Sequence, residues 1–282
     1  DCSDTDECTI NERCDEMTGE CVSDANPSCN ACDDCCAANP IFREQIVIAN
    51  RGDRTSTLLY VDTEDVRDTI IHNPDAEPIS VSSPGCCGAD LPGIESKYTY
   101  VGDRQNSEVR IIDARTLDQV ATVGTCNGVF RMDYDIASDQ YWVVCDIDKG
   151  MTVASLSGFS VLQPFISIPG DLAGAYKPHD ITVADGFAVV SLLGSPDHSL
   201  PSYLVKYSTV TFSEVSRLQV PANAHLYHTG TSGDSMFIAC QHGNSVLIVD
   251  PVSMSILDQV VVVGAHGIWE QDDRLYVTDI TT

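Results

Sequence analysis

Of the 282 residues, 42 are acidic and 15 basic, which gives a net charge of −27 and an isoelectric point near 4.2. A surface of that sign repels nucleic acid and anionic lipid, which excludes both as partners. No apolar run reaches the ~18 residues that signal a membrane span, so no membrane insertion is expected.

Thirteen cysteines point to an oxidising compartment, extracellular or at the cell surface. The count is odd, so one thiol is expected to be free, bound to metal or bridged to another chain. Eight cysteines fall within the first 36 residues, and residues 1–38 are expected to form a separate module. Cys2, Cys8, Cys14 and Cys21 are spaced C-x5-C-x5-C-x6-C in a polar, acidic stretch with almost no apolar content. Such a segment cannot build a core, so cross-links must hold it; the spacing leaves the connectivity open. Cys29, Cys32, Cys35 and Cys36 follow as C-x2-C-x2-C-C. An iron–sulfur run would continue differently, and a C-x2-C pair alone can take zinc, but in a secreted chain disulfides are preferred. Cys86-Cys87 is a second adjacent pair, and a bridge between the two sites would pin the module to the rest. The run from Cys14 to Cys21 resembles the end of an EGF-like repeat, and Asp4-Thr5-Asp6-Glu7-Cys8 resembles the opening of its calcium-binding form. The resemblance implies Ca²⁺ on Asp4, Asp6 and Glu7, which offer hard oxygen ligands.

From residue 39 to 282 the pattern is all-β: apolar runs separated by turn residues, with no amphipathic helix. Six runs end in a small residue, at Ala49, Gly102, Cys145, Ser191, Ala239 and Thr278, spaced 53, 43, 46, 48 and 39 apart. A period of that size is one four-stranded blade. These runs are expected to be the inner strands, where crowding near the axis demands small side chains. A second strand ends in Asp113 in one repeat and Asp250 in another, each 11 residues past the small residue. Outer strands follow at 116–123 and 255–263, and at 66–71 in the first repeat.

Residues 265–268 (Ala-His-Gly-Ile), 275–278 (Leu-Tyr-Val-Thr) and 246–250 (Val-Leu-Ile-Val-Asp) carry a resemblance to the YVTN-type β-propeller repeat of bacterial and archaeal surface proteins. The resemblance covers about residues 41–282 and implies a β-propeller of about six blades. The Gly-His and Trp-Asp signatures of WD40 repeats are absent. The last blade supplies only two strands before Thr282, which leaves a sheet edge open. The chain continues, an N-terminal segment closes the ring, or a neighbouring molecule donates strands.

His179, His225 and His266 each open a strand at what reads as one repeat position, with Arg131 in the same column and Cys35 and Cys87 near it. Three imidazoles converging on the channel would bind a transition metal, Cu²⁺ or Zn²⁺, and a metal-bound water would allow hydrolysis. The YVTN resemblance instead implies a structural histidine bonded to the neighbouring blade. His228 and His242 lie in the fifth repeat, His242 in a turn. Arg51-Gly52-Asp53 is an adhesion-type tripeptide in a loop, and the turn of the next repeat, ending in Arg104, offers a turn-forming explanation for it. Nucleophile-elbow, zincin, dinucleotide and Walker motifs are absent. The expected function is therefore a non-catalytic surface or structural subunit acting in protein–protein association, by self-association or with a surface partner. The alternative is a metal-binding propeller or metal-dependent hydrolase.

Overall fold

The computed structural model describes residues 9–14, 21–25, 45–60, 65–82, 98–114, 116–194, 200–220, 226–232, 235–271 and 274–280. Among these residues every regular element is a strand and every pairing is antiparallel. β1 (Thr9–Cys14) and β2 (Cys21–Ala25) form a hairpin of their own.

Six sheets follow. The first holds β3 (Gln45–Asn50), β4 (Thr55–Tyr60) and β5 (Val66–Ile71). The second holds β6 (Pro78–Ser82), β7 (Tyr98–Asp103), β8 (Glu108–Asp113) and β9 (Gln119–Gly124). The third holds β10 (Val129–Asp135), β11 (Gln140–Cys145), β12 (Gly150–Ser155) and β13 (Val161–Ser167). The fourth holds β14 (Lys177–Ala184), β15 (Phe187–Leu193), β16 (Ser202–Ser208) and β17 (Glu214–Val220). The fifth holds β18 (Leu226–Ser232), β19 (Ser235–Cys240), β20 (Ser245–Asp250) and β21 (Ser255–Val261), and the sixth holds β22 (Ala265–Gln271) and β23 (Arg274–Asp279). β6, β10, β14, β18 and β22 pack one on the next, so the sheets stand as successive blades of a β-propeller.

The core lies between blades, which explains the strand patterns. Middle strands such as β8 and β12 are covered on both faces and are buried almost throughout. The cluster built on Tyr100, Val109, Ile111, Tyr141 and Val143 joins the second and third blades. A cluster around Trp142, Met151, Ile181 and Val190 joins the third and fourth. Outer turns add pins across the same gaps. Phe159 and Phe212 hold left-handed backbone at φ 47° and 54°, a conformation that costs about 1–2 kcal/mol in an L residue. Each sets its ring on the preceding blade, Phe159 on Tyr98 at 5.0 Å and Phe212 on Trp142 at 5.8 Å.

The structure corrects the expected placement of the small residues. In the second to sixth blades they sit on second strands, not on the innermost ones, which are β6, β10, β14, β18 and β22. Opposite Gly102, Ser191, Ala239 and Thr278 the inner strand carries a β-bulge, so two residues face one. Where the small residue is hydroxylic, its oxygen accepts the amide at the bulge. Asp180 N donates to Ser191 Oγ at 3.1 Å and Gly267 N donates to Thr278 Oγ1 at 2.9 Å. At Gly102 the next blade comes so close that an added Cβ would stand 2.7 Å from Val129 Cγ1. In the third blade this register belongs to Val144, opposite Arg131, and Cys145 lies one residue on. Freed from the role of a small spacer, Cys145 forms a disulfide with Cys126.

Candidate binding face at the channel mouth

The links that enter each inner strand and the turns between second and third strands share one face of the propeller. Backbone bonds tie them together: Arg104 N to Glu77 O at 2.9 Å, Asp146 N to Gly128 O at 3.0 Å and Val262 N to Asn244 O at 3.0 Å. The turns repeat one geometry, each ending in left-handed backbone at Arg54, Ser107, Lys149 or Asn244.

The bulges also open on this face, and they locate the histidines. His179 and His266 lie within the bulges of β14 and β22, at one register position. The residues at that position in β6, β10 and β18 are Ile79, Phe130 and Tyr227. His225 lies outside the described residues, and the blade-five residue in register with His179 is Tyr227. Arg131 is one step further on, in register with Asp180 and His228. The expected single column of three histidines and Arg131 is therefore two adjacent columns. His179 is buried, with its ring centroid 4.8 Å from that of Phe130. Among the described residues no group of three or more His, Cys, Asp or Glu is placed to hold a metal ion. His242 is exposed in the turn after β19. Asp4, Asp6, Glu7, Cys2, Cys8, Cys29, Cys32, Cys35, Cys36, Cys86 and Cys87 lie outside the described residues. Cys14 and Cys21 stand opposite each other across the β1–β2 hairpin.

Sequence reasoning missed the charged groups at the inner edge. β14 turns unpaired amides toward the axis, and carboxylates meet two of them. Asp180 Oδ1 accepts Ile181 N at 2.9 Å, and Asp133 Oδ2, from the preceding blade, accepts Val183 N at 2.7 Å. Burial raises the Asp133 carboxyl to about 7 and neighbouring Asp180 adds to the rise, against the hydrogen bonds from Val183, Tyr134 and Thr182. A carboxyl raised on folding binds its proton more tightly in the native state, so its contribution to stability falls as pH rises from about 4 to about 7. Asp133→Asn keeps an acceptor for Val183 N and removes the buried charge. The variant is expected to match the wild type near pH 4 and to exceed it by about 1–3 kcal/mol at pH 8. Urea unfolding at both pH values checks this; an equal difference at the two would contradict it.

Beside this edge stand Arg104, Phe130 and Arg131. Both guanidinium carbons lie 5.8 Å from the Phe130 ring centroid. Arg104 pairs with Asp146 at 2.6 Å. On the same face the exposed turn 51–54 and residues 75–77 line an open cleft of about 550 Å³ with Gln105, and Arg51 pairs with Glu77 across it. Arg51-Gly52-Asp53 therefore sits at an exposed tip. Register sets Asn50 against Asp103 and Arg51 against Arg104, since both β3 and β7 end immediately before this turn. The shared turn thus explains the arginine and leaves Gly52-Asp53 unmatched in the next blade.

Two other groups have the chemistry of a site but not its access. Ser56 Oγ and His72 Nε2 are 2.8 Å apart, but Ser56 has no exposed surface. Burial, and then Arg110, hold the His72 imidazole below its ordinary range. The pair fastens the link after β5 to β4. Cys240 is free, as an odd count requires, but it is fully buried and burial pushes its thiol up to about 12. A neutral, enclosed thiol at Cys240 is not placed to bridge another chain.

No protein-family model matches the chain, and no curated protein matches it. Solved structures do. Hydrazine synthase of Kuenenia stuttgartiensis aligns with a TM-score of 0.63 at 10% identity, over 84% of this chain and 80% of that one. The dihydro-heme d1 dehydrogenase NirN, solved in complex with DHE, aligns with a TM-score of 0.59 at 15% identity, over 84% of this chain and 49% of that one. A protein from Lactobacillus plantarum aligns with a TM-score of 0.60 at 13% identity, over 78% and 69%. At these identities the likeness is one of fold, and with the blade topology it defines the class: the chain is a β-propeller protein.

Proposed function

We propose that this protein is an extracellular, non-catalytic subunit that associates with further copies of itself. In this reading residues 1–38 are a disulfide-held, EGF-like module and residues 39–282 a YVTN-type propeller. One observation carries the reading: the fifth and sixth blades present an apolar surface beside an unpaired sheet edge. Every residue of β21 is exposed, and Leu257, Val260 and Val261 are 58%, 49% and 78% accessible. Tyr276 on β23 and Ile280 after it are also exposed. A strand that exposes several large apolar side chains marks an interaction site or an aggregation hazard. β23 pairs with β22 alone, and at the other end of the propeller β3 pairs with β4 alone, among the described residues. Among the described residues one copy thus offers two open edges, and a head-to-tail contact between unlike surfaces would build an extended assembly. The net charge of −27 opposes such contact at low salt, so association is expected to strengthen as ionic strength rises toward the physiological range.

The test is the double substitution Leu257→Glu and Val261→Glu, at two positions that contribute little to the core. Light scattering coupled to size exclusion is expected to show assemblies for the wild type. For the variant it should show single copies, with an unchanged circular dichroism spectrum and unfolding midpoint. Assemblies that survive both substitutions would overturn the reading.

A further inference from the structure

We infer that the channel mouth binds an oxyanion, and that Arg131 is the group that holds it. Arg67, Lys149 and Lys206 donate to carbonyl oxygens, but in a chain with 42 acidic and 15 basic residues an arginine with neither a carbonyl nor a carboxylate partner is unexpected. Arg104, Arg110 and Arg217 each have one or more. Arg131 makes no ion pair and no hydrogen bond to the described residues. Its Nε is buried with no acceptor, and its recorded contact is with the face of Phe130 at 5.8 Å. The side chain as a whole is only partly buried, so the guanidinium end stays within reach of solvent.

A guanidinium that has lost water at Nε and has gained no counter-charge is poised for an anion. Its planar fork matches the two oxygens of a carboxylate or phosphate. The surroundings favour the same ligand. Arg104 lies against the same ring and adds positive charge, partly spent on Asp146 at 2.6 Å. Phe130 and His179, 4.8 Å apart, form an aromatic wall beside it. Two acids of the inner edge hold backbone amides: Asp133 accepts Val183 N and Asp180 accepts Ile181 N. The ligand class is a small molecule bearing a carboxylate or a phosphate, since both present the same oxygens to the fork. The inference does not depend on self-association and involves different residues.

The experiment is thermal unfolding of the full oxidised protein at fixed ionic strength, with chloride replaced stepwise by acetate, citrate or inorganic phosphate. Ligand that binds only the native state raises the midpoint with concentration. Wild-type protein is expected to show a rise beyond that of chloride, and the anion giving the larger rise identifies the carboxylate or the phosphate class. Arg131→Met should weaken the apparent affinity about tenfold or more, and Arg131→Lys, which loses the fork, by less. Without added anion at low ionic strength, Arg131→Met should be no less stable than the wild type, because it removes an unsatisfied buried donor. The inference is overturned if no anion exceeds chloride, if Arg131→Met responds like the wild type, or if that variant alone is destabilised without anion, which would make Arg131 a packing residue.

Discussion

Asp103→Ala is expected to destabilise the protein by about 3–5 kcal/mol, the range for removing one partner of a buried ion pair. The carboxylate has no exposed surface and no spare acceptor capacity. Oδ1 accepts the amides of Glu77, Gln105 and Asn106 at 3.0, 3.1 and 3.2 Å. Oδ2 accepts Arg110 Nη2 at 2.6 Å and Asn106 Nδ2 at 2.8 Å. Arg110 is itself 3% exposed and keeps only Glu108, at 2.9 Å, once Asp103 is gone. The substitution leaves a buried guanidinium half-paired and strips acceptors from the β7–β8 turn and from the link into β6. Asp103→Asn keeps an oxygen for the amides and loses the charge, so it should fall between alanine and wild type. Denaturant unfolding at neutral pH reads both; a loss below about 1 kcal/mol for alanine would mean that water replaces the carboxylate.

The second large effect concerns Cys126 and Cys145, which are disulfide-bonded 19 residues apart. A loop of that length limits the unfolded chain enough to stabilise the native state by about 3 kcal/mol in the chain-entropy description. Cys126 lies in the link between the second and third blades and Cys145 closes β11, so the bond fixes where the third blade begins. Both sulfurs are buried in the cluster that joins these blades. The double variant Cys126→Ala, Cys145→Ala is expected to lose about 2–4 kcal/mol relative to the oxidised wild type. It should also lose any difference between unfolding with and without reductant. If reductant still lowers its midpoint, the remaining effect belongs to the other cysteines. An oxidised wild type no more stable than the variant would remove the structural case for this bridge.

What the chain discloses about itself divides along physical lines. Repeated apolar runs and their period reveal a propeller, because strand alternation and turn chemistry are local and recur in every blade. The Asp that ends the third strand of the second and fifth blades, Asp113 and Asp250, is legible for the same reason: Asp250 caps its own turn, taking Val252 N at 2.8 Å and Ser253 Oγ at 2.6 Å. Bulges are different. They shift register by one residue and leave no mark in the hydrophobic pattern, so Arg131 reads as a neighbour of His179 in one column when it belongs to the next. Cys145 was hidden by the same shift, since it falls where a small spacer is expected. The partnerless Arg131 and the buried network of Asp103 depend on which blades face each other, and that is decided only when the blades pack. Ser56 and His72 meet across two strands with no spacing motif to announce them.

Self-association through the exposed face of β21 and β23 is tested most directly by electron microscopy of the oxidised, full-length native protein at physiological salt. Filaments or ordered arrays, with contacts at the fifth and sixth blades, are the expected result. Isolated propellers at every concentration, with the β23 edge covered by the protein's own chain, would contradict it.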